Sequence, residues 1–186
     1  MTVLRVALWV VAIWFVLIVV VAAVLMAIDS HRKRRVDDTA EVTFPRLPPI
    51  SEKLGESTVT VYTYGHDLFD AMLAEIRGAQ HEIHLESYIW KADSLGEEFK
   101  RELIAAAERG VKVHVIYDVF ANLVVKRSFK AFPPSVQVMR HPWFSPWIFL
   151  LRIRKTGRDH RKILVVDRKV GFVGGYNIGA DYASKW

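Results

Sequence analysis

Val6 to Ile28 is a run of 23 residues without a charged side chain. A helix of this kind cannot turn a polar face to water, so it belongs in an apolar medium. At about 1.5 Å rise per residue the run spans about 34 Å, enough for the ~30 Å hydrocarbon core of a bilayer. A cleaved signal peptide would have a core of roughly 7–15 residues and a small-residue cleavage site. Here only Arg5 leads the run and no such site follows it. The expectation is a retained transmembrane anchor over residues 1–30, with Trp9 and Trp14 suited to an interface or to lipid. After it stands His31-Arg32-Lys33-Arg34-Arg35, four fixed positive charges against one before the helix. By the positive-inside rule the bulk of the chain faces the cytoplasm, and the cluster also suits anionic headgroups.

Residues 31–56 read as a basic flank followed by a linker, because Pro45, Pro48 and Pro49 interrupt any periodicity. From residue 57 to 186 there is enough chain for one modest core. Val59 to Tyr64 reads as a strand, Asp67 to Arg77 as a helix with Leu68, Met72 and Ile76 on one face, and Ile83 to Ile89 as a strand. Leu95 to Arg109 reads as a helix, and Lys112 to Tyr117 and Ser135 to Met139 as further strands. Strands alternating with helices predict an α/β layered domain with a partly parallel sheet. The net charge of +6 suits acidic partners, anionic lipid before nucleic acid. Absence of cysteine excludes disulfides and thiolate metal sites.

The chemistry gathers at His160-Arg161-Lys162-Ile163-Leu164-Val165-Val166-Asp167 and Gly174-Gly175-Tyr176-Asn177. Lys162 to Val166 is an apolar β-branched run that stops at Asp167-Arg168-Lys169 and resumes over Val170 to Val173, which predicts a hairpin. Side chains two apart in an extended chain share a face, so His160 and Lys162 converge while Arg161 turns away. An ammonium supplies a point charge to a phosphate, and an imidazole attacks phosphorus or moves a proton near neutral pH. Asp167, of opposite parity, is placed to brace the turn. Gly174 and Gly175 allow close backbone approach to a ligand, and the Asn177 amide donates to a phosphate oxygen. Taken singly, each residue has a plain reading as a strand-end charge, a turn residue or a cap. The order and spacing are what resist that reading.

At these residues the chain resembles the phospholipase D superfamily, whose signature is H-x-K-x(4)-D followed by G-G/S-x-N, and within it the bacterial cardiolipin synthases. The stretches Ile83 to Ile89 and Arg109 to Val113 extend the resemblance upstream. The resemblance implies a mixed sheet flanked by helices and a phosphohistidine mechanism, with His160 as nucleophile or acid/base, Lys162 and Asn177 as phosphate ligands, Asp167 as the motif's acid, and neither metal nor cofactor. It also implies a second motif, which this sequence does not contain. Residues 57–186 therefore read as the first half of a longer enzyme, or as a half that pairs with a second copy. A family acid that orients the active-site His would fall just after Trp186.

Glu86 lies on an apolar strand, where a carboxylate needs a partner, and is expected either to help orient a His or to make a buried structural bond. Asp118 ends a strand where open sheets place ligands, with a turn or cap as its plain reading. Trp143, Phe144 and Trp147 precede a basic stretch and suit either membrane contact or packing on a missing half. The expected function is a phosphatidyltransferase in the bacterial inner membrane, cytoplasmic domain inward, acting on anionic phospholipid such as phosphatidylglycerol. The alternatives are a dimeric phospholipase D or nuclease-type hydrolase and a non-catalytic lipid-binding half. Nucleic acid is not expected as a partner, since basic and aromatic residues do not alternate.

Overall fold

The computed structural model describes residues 2–37, 46–142 and 157–184. It divides into two compact units, Met1–Thr43 and Phe44–Trp186. The first is the helix that the apolar run dictates, α1, Thr2–Asp37. Its stretch Arg5–Arg32 has a mean hydropathy of 3.2 and is long and apolar enough to cross a membrane. The helix passes the expected boundary at residue 30 and carries the basic cluster on its last turns.

The second unit opens on a strand that the sequence reading placed in a linker. β1, Ile50–Leu54, pairs antiparallel with β2, Ser57–Val61, with Leu54 opposite Ser57. Gly55 has a φ of 63°, which places a glycine at the first central position of a two-residue turn, as a type II′ hairpin requires. The prolines just upstream hid this short alternation.

A five-stranded sheet follows. α2 (Gly65–Gly78), β3 (Glu82–Ser87), α3 (Ser94–Glu108) and β4 (Lys112–Asp118) alternate as expected, then come β5 (Val136–His141), β6 (Ile163–Val166), β7 (Val170–Val173) and the short α4 (Asp181–Ser184). The strand order is β5-β4-β3-β6-β7. β3, β4 and β5 run parallel, while β6 is antiparallel to β3 and β7 to β6. The sheet is thus mixed, with β3 at its centre.

Phe69, Met72, Leu73 and Ile76 of α2 and Phe99, Leu103 and Ala106 of α3 meet Ile83, Leu85, Val113, Val115, Leu164 and Val166 in one core. Each fully buried side chain of this size contributes about 1.5–3 kcal/mol, so this seam holds the domain together. α3 starts at Asp93, whose carboxylate accepts the Gly96 N–H at 3.0 Å. It stops before Gly110, at φ 93°. Residues of the other parity, including His84, Glu86, His114, Met139, Ile163 and Val173, are exposed or half-buried. Among the described residues, both long helices of this unit cover the same face of the sheet.

Candidate active site

Because β3 and β4 are parallel and β6 is antiparallel to them, two strands end where the third begins. Glu86 stands opposite Ile163 in the β3–β6 ladder. Continuing both chains by two residues brings Tyr88 to the segment that carries His160 and Lys162. The His160 ring lies 4.5 Å from the Tyr88 ring, tilted by 58°. Lys162 Nζ lies 5.2 Å from the centre of the same ring and donates to the His160 carbonyl at 2.7 Å. The ladder begins at Ile163, one residue later than the sequence run suggested. The two side chains still meet one platform, an aromatic face that favours a cation. Burial lowers the Lys162 pKa from its ordinary value.

Arg161 turns the other way. Its Nη2 is 2.7 Å from Glu86 Oε1 and its Nε donates to Asp159 Oδ1 at 3.0 Å. Glu86 therefore meets the imidazole's neighbours in the chain and not the imidazole itself. It pairs with the residues on either side of it. Among the described residues no hydrogen bond holds the His160 imidazole, which is exposed. Glu86 is pushed up to about 7, first by burial and then by the neighbouring Asp159, with Arg161 opposing. Burial would raise Asp159 as well, but the hydrogen bond with Glu86 and the Arg161 guanidinium outweigh it and hold Asp159 below the ordinary carboxylate value.

Asp118, fully buried, ties this segment to β4. Its Oδ1 accepts the Phe120 and Ala121 N–H groups at 2.8 and 3.3 Å, the turn cap read from the sequence. Its Oδ2 accepts the Asp159 N–H at 3.2 Å and lies 3.3 Å from His141 Nδ1.

Asp167 lies at the opposite end of β6 from His160. Its carboxylate accepts the N–H groups of Gln80, His81 and Glu82 at 2.8, 2.8 and 2.9 Å. Those bonds lower its pKa to about 2. Asp167 and Arg168 have φ of 51° and 54°, and Lys169 N–H closes the turn on Val166 at 3.0 Å. Left-handed backbone at two consecutive non-glycine residues is strained. The three amides that hold Asp167 offset that strain. The catalytic part that the motif assigns to Asp167 is, in this geometry, the fixing of the hairpin.

Asn177 is buried. Its Oδ1 accepts the Ile89 N–H at 3.2 Å and its Nδ2 donates to the Tyr182 hydroxyl at 3.1 Å, leaving one amide hydrogen for another acceptor. It also locks the turn beyond Gly175 to the end of β3, where Trp90 and Ile178 form a bridge. Gly174 and Gly175 have no left-handed φ, and among the described residues, chain neighbours aside, no atom lies within 4 Å of the place a Cβ would take. A cavity opens beside Lys162 and Gly174, walled by Met72, Phe172 and Tyr176. Trp143, Phe144 and Trp147 lie outside the described residues.

A family model described as cardiolipin synthase, phospholipase D-like domain, matches residues 72–185. The chain belongs to this family. Its phospholipase D-like domain takes in every residue of the cluster just described, from Glu86 to Asn177. A cardiolipin synthase of Listeria monocytogenes serotype 4a is 37% identical over 128 residues, 68% of this chain and 26% of the relative. Cardiolipin synthase 2 of Staphylococcus epidermidis is 37% identical over 131 residues, 70% of this chain and 27% of the relative. The matched stretch thus spans about a quarter of each relative. Among solved structures, NucT from Helicobacter pylori aligns with a TM-score of 0.48 and 19% identity, covering 62% of this chain and 70% of that one.

The sequence reading of this phospholipase D-like domain missed Tyr88, Asp159 and Arg161. Asp159 and Arg161 flank the motif His, and the parity argument had already sent Arg161 to the far side. What the sequence does not carry is the β3–β6 register, which decides whom Arg161 meets there.

Proposed function

We propose that this domain supplies one half of a phospholipase D-type active site that transfers a phosphatidyl group from one phospholipid to the hydroxyl of another. The observation that carries this reading is the meeting of His160 and Lys162 on the Tyr88 ring, beside two glycines that neither packing nor backbone conformation requires. Lys162 neutralises the phosphate oxygens, and the Gly174-Gly175 backbone and the free hydrogen of the Asn177 amide line the phosphate. The His160 imidazole nitrogen attacks phosphorus while the first glycerol oxygen leaves and takes a proton from a second histidine. The hydroxyl of the acceptor lipid then gives that proton back as its oxygen attacks phosphorus, and the bond to His160 breaks. The second histidine comes from another half, a second copy or a further stretch of polypeptide.

Phosphatidylglycerol fits as donor and acceptor: it carries the anionic phosphodiester that Lys162 favours and a free glycerol hydroxyl. The apolar walls beside Lys162 suit a lipid over a soluble ester. α1 anchors the domain in the membrane, and the basic flank keeps the domain on the cytoplasmic side.

The test is the membrane-embedded chain and its His160→Ala variant on phosphatidylglycerol, with products weighed by mass spectrometry. Cardiolipin that disappears in the variant is the expected result. Phosphatidic acid without cardiolipin replaces transfer by hydrolysis, and no product from a chain that binds the lipid means half an enzyme that a second copy does not complete, or a lipid-binding half.

A further inference from the structure

Between His160 and Lys162 stands a residue whose guanidinium holds two shielded acids at once. Arg161 reaches Glu86 at 2.7 Å and Asp159 at 3.0 Å, and the two carboxyl groups are only 13% and 6% exposed. One cation cannot balance two anions there. The ladder offers no further donor: Glu86 stands between Ile116 of β4 and Ile163 of β6, both apolar. In spite of its contact with Arg161, Oε1 is buried without an aligned hydrogen bond.

We propose that Glu86 and Asp159 share one proton, and that this acid pair, clamped by Arg161, is a positioning device that sets where His160 and Lys162 stand. With the proton in place the cluster of two acids and one guanidinium is neutral, and a carboxyl–carboxylate hydrogen bond closes it. Removal of the proton leaves two like charges in a poorly hydrated place, and the pair must spread. Asp159 cannot retreat far, because its N–H is held by Asp118. The movement is taken up at Arg161 and, through the chain, at the neighbours that meet Tyr88. The rise of Glu86 to about 7 puts the change near neutral pH.

Among the described residues, the other charged groups facing the pair do not supply the missing positive charge. On β3, Glu82 is taken up by Arg168, and His84 lies within 3.7 Å of Glu82. On β4, His114 stacks on His84 at 4.7 Å, while Asp118 adds a further carboxylate. On β5, His141 faces Asp118. Lys162 leads into β6 and stands over Tyr88, its charge favoured by Asp159.

The test uses the full chain in lipid nanodiscs, wild type and Glu86→Gln, the latter keeping the size and the hydrogen-bond donor of a protonated acid. Infrared difference spectra are expected to contain a protonated-carboxyl band that fades as pH rises through about 7 and is missing in Glu86→Gln. The Lys162 backbone and side-chain resonances are expected to shift in the same titration and to lose that component in the variant. A residue that merely fills space would not move them. Absence of the band from the wild type, or an identical Lys162 response in both proteins, overturns the proposal. The activity arm alone rests on the transfer reading: above pH 7 the wild-type rate falls more steeply than the Glu86→Gln rate, in which only the second histidine still loses its proton. If neither protein turns over lipid, a second copy does not complete the site, and the spectra still decide the acid pair.

Discussion

Asp118 Oδ2 accepts the backbone N–H of Asp159 at 3.2 Å, so the end of β4 holds the residue that immediately precedes His160. A buried carboxylate on a strand separated from His160 by about forty residues thereby determines where the imidazole begins. Removing it leaves three amide donors, those of Phe120, Ala121 and Asp159, without their acceptor. Asp118→Ala is expected to cost about 2–4 kcal/mol, read by urea denaturation. Hydrogen exchange at the Asp159 amide should accelerate beyond what the global loss accounts for, and equal acceleration throughout would refute the link.

Two acids of this domain carry stability of opposite sign with pH. Asp167 is lowered to about 2 by three backbone amides, so what it adds to stability is present above its unfolded pKa and is lost as pH falls from about 4 toward 2. Glu86 is raised to about 7, so what its proton adds is present below the unfolded value and is lost as pH rises from about 4.5 toward 7. Denaturation at a series of pH values should show Asp167→Asn converging on the wild type in the acid window and Glu86→Gln flattening the neutral one. Parallel curves for either variant would contradict the assignment.

The glycines separate fold from site. A Cβ at Gly96 would stand 1.8 Å from the Lys91 carbonyl oxygen, and one at Gly65 2.0 Å from the Tyr182 carbonyl oxygen. Gly96→Ala and Gly65→Ala should each destabilise by more than about 2 kcal/mol. Gly174→Ala and Gly175→Ala meet open space and should stay within about 0.5 kcal/mol of the wild type. If those two positions face the phosphate, the same variants lose phosphatidyl transfer tenfold or more. Full activity in both would remove them from the site.

The absence of cysteine makes orientation easy to read. A cysteine introduced at exposed Glu108 should react with an impermeant maleimide only after the cells are opened. One at Thr2 should react in intact cells. The reverse pattern would invert the topology.

Much of the α/β plan was legible because it rests on periodicity: the run before Asp167, the face with Met72 and Ile76, and the alternation of strand and helix all report local burial. β1 was not, since five exposed residues behind prolines carry little pattern, and its partner β2 alone tells of the hairpin. The motif spacing pointed to His160 and Lys162, and alternation put them on one side even though the strand starts after them. Tyr88, Asp159 and the hold of Asp118 on Asp159 stayed hidden for a different reason. Their roles come from which strands lie side by side, and neighbours distant in sequence leave no local mark. Glu86 was seen to need a partner, but only the register supplied its name.

The three amide bonds that receive Asp167 join residues 85 to 87 positions apart. The hairpin that carries the motif therefore cannot settle until the start of β3, made long before it, is waiting in place. Loop closure over that span comes before any gain from the contact, which puts completion of the reactive edge among the last events of folding. On a ribosome, the helices and the parallel strands would collapse first around an open central strand, and the chemistry would arrive only when the later hairpin zips onto it.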